Sequence, residues 1–282
     1  MKHRNFNAPA SPTVSSGSGS NDPFSDISND YVYFDAADAT TLTIDGSSDR
    51  VLSWVGKNDP TVGWVGTNDS TPYGIKYNDT NKSLDLSQGL LDQNQANEAL
   101  RNWLGAHDDV TIYILMKEDS YANQSAIISG FYEGGANDSY LWLYTENNSI
   151  RLSQRRDWSV GTGSDHNMRA ASRPTYQYTD FSYGNWYLHS WACTRNAIGY
   201  GRTDGILTTS ANTSADVAFP TYDYIQLGRR INVINSKSAA ACEIRGILFC
   251  SGELVSDSSD YNAIKTKFEE LNSDITISTL TV

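Results

Sequence analysis

The chain has 282 residues and a mass of 31.1 kDa, enough for one large domain or two ordinary ones, and a chain of this length buries roughly three quarters of its unfolded surface. Seven Trp, 17 Tyr and eight Phe within a 39% hydrophobic composition supply a packed core and exclude wholesale disorder. A net charge of -12 repels phosphate backbones and anionic headgroups, and no apolar run approaches the roughly 20 residues of a membrane helix, so neither nucleic-acid binding nor membrane insertion is expected.

Residues 1–30 are rich in Ser, Gly, Asn, Asp and Pro without periodicity and are expected to form a flexible arm. No apolar stretch follows Lys2 and Arg4, so the middle region of a secretory signal is missing and synthesis in the cytoplasm is expected. From Tyr31 onward, short strands alternate with turn chemistry, the pattern of an all-β sandwich, and residues 31–282 are expected to form a single domain with one hydrophobic core.

Within it, Asn94 to Leu104 has apolar residues at helical spacing and stops at Gly105. Val110, Ile112, Ile114 and Met116 then alternate with Thr111, Tyr113, Leu115 and Lys117, which predicts a strand with one row on the core. Tyr140 to Tyr144, Ile150 to Gln154, Trp186 to Cys193 and Tyr224 to Leu227 read as further strands, and Asp204-Gly205 suits a tight hairpin between Ala197–Arg202 and Ile206–Thr209. Cys242 and Cys250, eight residues apart on one expected strand, stand about 26 Å from each other and cannot bridge; with Cys193 they read as small buried hydrophobes. Ser256 to Leu271 predicts a second helix. Ile275 to Val282 alternates again as an edge strand without charge or Pro, expected to pair either near Tyr31 to Phe34 or with a neighbouring subunit.

Tyr33-Phe34-Asp35-Ala36-Ala37-Asp38-Ala39-Thr40, Val51-Leu52-Ser53-Trp54-Val55, Leu227-Gly228 after the Asp-Gly hairpin, and Gly246 to Leu254 leading into Tyr261-Asn262-Ala263-Ile264 stand in a family order. Over residues 31 to 272 or so the chain resembles laminin-G-like, concanavalin A-like jelly-roll domains. The resemblance implies an all-β jelly-roll sandwich with two short helices and an extended N-terminal arm. Lectins, polysaccharide-cleaving enzymes, adhesion modules and virion proteins share this sandwich. A stand-alone copy with an arm is similar to phage structural proteins: capsid decoration, head-fibre or tail proteins.

The function expected on that resemblance is a non-enzymatic virion structural protein at the virion surface, with a lectin-like outward domain. Residues 1–30 would anchor it to the capsid or other virion proteins, as a homo-oligomer, a trimer or a dimer. The alternative is a carbohydrate-binding or host-receptor-binding module of tail or adhesin type, and a polysaccharide-cleaving enzyme stands behind both. Sandwich glycosidases place Glu-x-Asp-x-x-Glu or Glu-x-Asp-x-Glu on one strand, because two carboxylates must flank the sugar bond about 5 Å apart. No such pattern occurs, so no catalytic residue is assigned.

Related domains hold calcium through loop carboxylates. Here Asp45, Asp49 and Asp59, with Asn58, offer oxygens without an ordered ligand spacing, and turn formation is the favoured explanation for them; no cofactor is assigned and calcium is left open. The long segment Gln154 to Tyr183 carries Arg155, Arg156, Trp158, Tyr176, Tyr178 and Tyr183, the candidates for contact with a glycan or a neighbouring subunit.

Overall fold

The computed structural model describes residues 23–66, 74–87, 94–107, 109–120, 125–132, 139–146, 149–155, 182–193, 198–203, 206–211, 224–228 and 241–278. Seven short strands come first: β1 (Tyr31–Asp35), β2 (Leu42–Ile44), β3 (Val51–Val55), β4 (Gly63–Gly66), β5 (Lys76–Asn78), β6 (Ser83–Asp85) and β7 (Asn94–Ala96). Helix α1 (Glu98–Ala106) follows, then β8 (Val110–Glu118), β9 (Ser125–Tyr132), β10 (Ser139–Glu146) and β11 (Ser149–Arg155). The last strands are β12 (Trp186–Cys193), β13 (Ile198–Thr203), β14 (Ile206–Ala211), β15 (Tyr224–Leu227) and β16 (Cys242–Ser251), before helix α2 (Ser258–Leu271).

Pairing sorts these strands into two antiparallel sheets, the all-β sandwich that the turn spacing predicts. The first runs β14-β13-β12-β8-β16-β6-β5, with β1 sharing the edge of β16 beside β6; the second runs β11-β10-β9-β15-β7-β4-β3-β2. Between them lies a core that includes Phe34, Trp54, Trp64, Ile112, Ile114 and Trp191. The expected hairpin is present: Thr203 pairs with Ile206, although Asp204 and Gly205 themselves lie outside the described residues.

The expectation of a single core is corrected. Tyr113 and Leu115, on the alternate face of β8, are as buried as Ile112 and Ile114, because α2 lays Tyr261, Ile264 and Phe268 over that face. Phe24 completes this second cluster, with its ring 4.9 Å from Tyr33 and 5.6 Å from Phe268. Packed structure therefore begins upstream of Tyr31. Cys242 and Cys250 sit on β16, buried and unbridged, as the strand geometry requires.

A β-bulge explains how β16 serves both cores. Pairing with β8 slips between Ile244 and Gly246, so Ile244 and Ile247, three residues apart, both reach the inter-sheet core while Leu248 and Cys250 face α2. The extra residue is Arg245, buried, with its guanidinium donating to the Asn81 carbonyl at 3.1 Å and to Asp274. A Cβ on Gly246 would stand 3.1 Å from the Phe268 ring, so any larger residue there requires the ring to shift by a few tenths of an ångström.

Both helices start later than their apolar spacing predicts. Residues 94–96 form β7 instead, and Asn97 caps α1 by accepting the Leu100 N–H at 2.9 Å; its amide also donates to the Thr61 carbonyl at 2.8 Å. Ala96, counted in the helical stripe, faces the inter-sheet core from that strand. Asp257 caps α2. The expected pairing of the terminal segment near Tyr31 to Phe34 is corrected as well: Ile277 bridges Trp186 in parallel, and the Ser278 N–H donates to the Trp186 carbonyl at 2.7 Å. The edge of β1 is taken by β16. Residues 279–282 lie outside the described residues.

Phe268→Ala should lower unfolding free energy by about 3–5 kcal/mol, since it empties the contact among Phe24, Tyr33 and Gly246. Urea unfolding followed by Trp fluorescence measures it; a loss below about 1 kcal/mol would contradict the two-core description.

Candidate ligand-binding face

Strand alternation places the second sheet's two kinds of residue on opposite faces. Ile128, Ile225, Leu227, Ala96, Trp64 and Trp54 belong to the inter-sheet core. The positions between them therefore form the outer face. One cross-strand row runs Ser153, Trp142, Ser129, Gln226, Gln95, Val65, Ser53, Thr43. A second row beside it runs Arg155, Tyr140, Phe131, Tyr224, and a third pairs Arg151 with Tyr144.

Solvent access varies along the first row. Ser129 and Gln226 retain 4% and 5% exposure, while Val65 is 49% exposed and Thr43 exposed at the far edge. An exposed Val flanked in register by Gln95 and Ser53 is an apolar spot within a polar strip. Sheet positions of this kind can supply flat apolar contact and hydrogen bonds to one ligand.

Of the candidates from sequence, Arg155 lies on this face, at the register position opposite Tyr140. Tyr183 lies exposed in the turn before β12 of the first sheet, whereas Arg155 is on β11 of the second. Arg156, Trp158, Tyr176 and Tyr178 lie outside the described residues. Sequence reading did not single out Tyr140, Trp142 and Tyr144 as candidates, although aromatic residues alternate there with Leu141 and Leu143.

The calcium candidates serve turns. Asp45 accepts from the Ser47 N–H at 3.1 Å and the Ser48 hydroxyl at 2.7 Å, and Asp59 accepts from the Thr61 N–H at 3.0 Å. Asp49 has a left-handed φ of 56°. Asn58 extends β1, accepting from the Tyr33 N–H at 2.9 Å and donating to the Tyr31 carbonyl at 2.8 Å. Among the described residues no three His, Cys, Asp or Glu side chains come together in a metal-holding group. The Asp35 and Asp38 pair of the family-like motif is likewise structural: Lys57 stands 2.9 Å and 3.1 Å from the two carboxylates.

Lys117, Glu118, His189 and Glu243, titratable groups with shifted protonation, lie on the first sheet. Glu243 is bonded to Lys117 at 2.8 Å, to Asn81 and to Ser83; half-burial works against its charge, yet these partners hold its carboxyl below the usual range. Lys117 in turn lies 5.6 Å from the centre of the Trp186 ring. His189, wholly buried and stacked on Trp191 at 5.8 Å, is pushed down to about 3 by burial and stays neutral. Glu118, 7% exposed and paired in register with Cys242, is pushed up to about 7 by burial. A carboxyl in that range can exchange a proton near neutrality.

Because the Glu118 carboxyl titrates higher folded than unfolded, the native state binds an extra proton between pH 4.5 or so and 7. Its contribution is fully present below that window and is lost as pH rises through it, up to about 3 kcal/mol. Thermal unfolding across pH 4.5 to 8 should show this decline, and Glu118→Gln should flatten it. An unchanged slope in that variant would place the proton elsewhere.

No family model and no curated protein matches the chain. Solved structures do share its fold. Sialidase from Trypanosoma rangeli, in complex with 2-keto-3-deoxy-D-glycero-D-galacto-2,3-difluoro-nononic acid, is 13% identical, with a TM-score of 0.54 over 85% of this chain and 33% of that one. The same sialidase with 2,3-difluorosialic acid is 14% identical, with a TM-score of 0.53 over 86% and 33%. The receptor binding domain of botulinum neurotoxin mosaic serotype C/D is 15% identical, with a TM-score of 0.53 over 79% and 51%. The chain thus spans about a third of the sialidase and half of the toxin domain.

The expectation that the chain is not an enzyme is corrected by these neighbours, since the same fold occurs within sialidase chains. Its premise was too narrow physically. A carboxylate pair on one strand is a single way to set two acids side by side, whereas cross-strand register joins residues distant in sequence, as Lys117 and Glu243 show. None of these neighbours is a virion protein. Among the described residues, no helix is long and apolar enough to cross a membrane.

Proposed function

We propose that the chain is a carbohydrate-binding β-sandwich domain whose ligand lies on the outer face of the second sheet. The observation that carries this reading is the cluster of five aromatic register positions on that face, Phe131, Tyr140, Trp142, Tyr144 and Tyr224, with Ser153 and, farther along the same row, the half-buried Gln95. Sugar rings have one apolar and one hydroxyl-rich aspect, so a site needs flat aromatic surface beside amide and hydroxyl groups. The neighbours add support of a coarser kind: one is a sialidase bound to a sialic-acid analogue and another a receptor binding domain. The jelly-roll designation belongs to the same reading.

The virion setting, with residues 1–30 as anchor and a trimeric or dimeric assembly, is compatible with a glycan-binding face and draws no support from the neighbours. Removing residues 1–22 and measuring binding to particles and to glycans separately distinguishes anchoring from recognition.

Glycan-array binding by the full chain, followed by calorimetry on the best ligand, tests the proposal. Trp142→Ala should weaken binding by at least about ten-fold, the worth of one stacking or packing anchor, with the melting temperature little changed. An array without a hit at millimolar sugar, or full affinity in the variant, would overturn it.

A further inference from the structure

Strand β11 carries Arg151, Ser153 and Arg155 at alternate positions, in register with Tyr144, Trp142 and Tyr140. All six positions share the outer face. The two arginines flank the Trp142 row along the strand, about 13 Å apart at four residue rises. One acid, Glu146, ends β10 a single row beyond Arg151, opposite Ser149. The positions that continue these rows onto β9 and β15, Ala126, Ser129, Phe131, Tyr224 and Gln226, are all uncharged residues.

This grouping runs against the composition of the chain, which has 33 acidic and 21 basic residues. An acidic protein repels anions at long range, so cations beside an aromatic row mark the place where an anion is accepted. Guanidinium groups suit this task, since their planar donors match carboxylate and sulfate oxygens two at a time.

Resting on the carbohydrate reading, we infer that the ligand is an anionic glycan, whose carboxylate or sulfate groups meet Arg151 and Arg155 while a sugar ring meets the Trp142 row. The separation of the arginines favours an oligomer with charges on more than one ring over a single sugar.

The test measures binding of the full chain to polygalacturonate, dextran sulfate and neutral dextran at low and at moderate salt. Binding to one of the two anionic polymers, weakened by salt and reduced about ten-fold or more in Arg151→Gln/Arg155→Gln, supports the inference, and the polymer bound tells carboxylate from sulfate. Arg151→Lys/Arg155→Lys should recover part of the affinity if charge at these positions matters. Lys265→Gln/Lys267→Gln on α2 should leave it unchanged. Equal loss in that control pair, or binding of neutral dextran by the native chain as tight as that of the anionic polymers, overturns the inference and leaves the carbohydrate reading standing. Loss of no affinity in the Arg variant while Trp142→Ala abolishes binding has the same meaning. Binding to none of these polymers and to no sugar of the array overturns both.

Discussion

Burial of β8 and β16 on both faces constrains the rest of the molecule, because a sheet covered above and below has no broad surface left to offer a ligand. Each residue of β8 from Val110 to Met116 is buried, and each of β16 from Cys242 to Cys250. At about 25 cal/mol per Å2 of apolar area, two such strands account for a large part of the driving force for folding. Their outer cover consists of α2, Phe24 and the segment around Ile275 and Ile277. α1 likewise turns Leu100 and Leu104 into the inter-sheet core. Both described helices thus apply their apolar sides to packing.

Polar groups at the margin of the first sheet are satisfied locally rather than left as a site. Lys117 and Glu243 neutralise each other across β8 and β16, with Asn81 and Ser83 completing the carboxylate. Arg245 does the same with Asp274 and the Asn81 carbonyl, tying the bulge to the chain beyond α2. A buried charge that lost its partner would be costly, so these pairs hold one arrangement of the sheet end more than they add net stability. Glu118 differs, as its burial is relieved by protonation instead of pairing.

Local pattern carried the strands well. Trp186 to Cys193 and Tyr224 to Leu227 coincide with β12 and β15, and the Asp-Gly hairpin lies where its turn chemistry puts it. What the sequence could not convey depends on distant pairing. Tyr113 and Leu115 look like an outer row until α2, well over a hundred residues later, is laid over them. Ala96 fits a helical stripe until β4 draws it into a strand. The candidate face follows the same rule: alternation in β10 shows two kinds of face, but only register with β9, β11 and β15 assembles Trp142, Ser129, Gln226 and the arginines into rows. Of the candidates in the long segment from Gln154 onward, two fall among the described residues: Arg155 at a register position of the face and Tyr183 in the turn before β12.

The bulge at Arg245 has a bearing on how this chain can change over generations. Deleting that one residue would leave Ile244 and Ile247 two apart, so strict alternation would keep Ile247 and Phe249 toward the inter-sheet core and Leu248 and Cys250 toward α2. Loss of that codon removes the Arg245–Asp274 tie, whereas loss of one residue between Ile247 and Phe249, with the bulge kept, would turn the rest of the strand over. Position 245 is therefore where this central strand can change its length and keep its faces, and other insertions and deletions in the lineage should accumulate in the connections between strands.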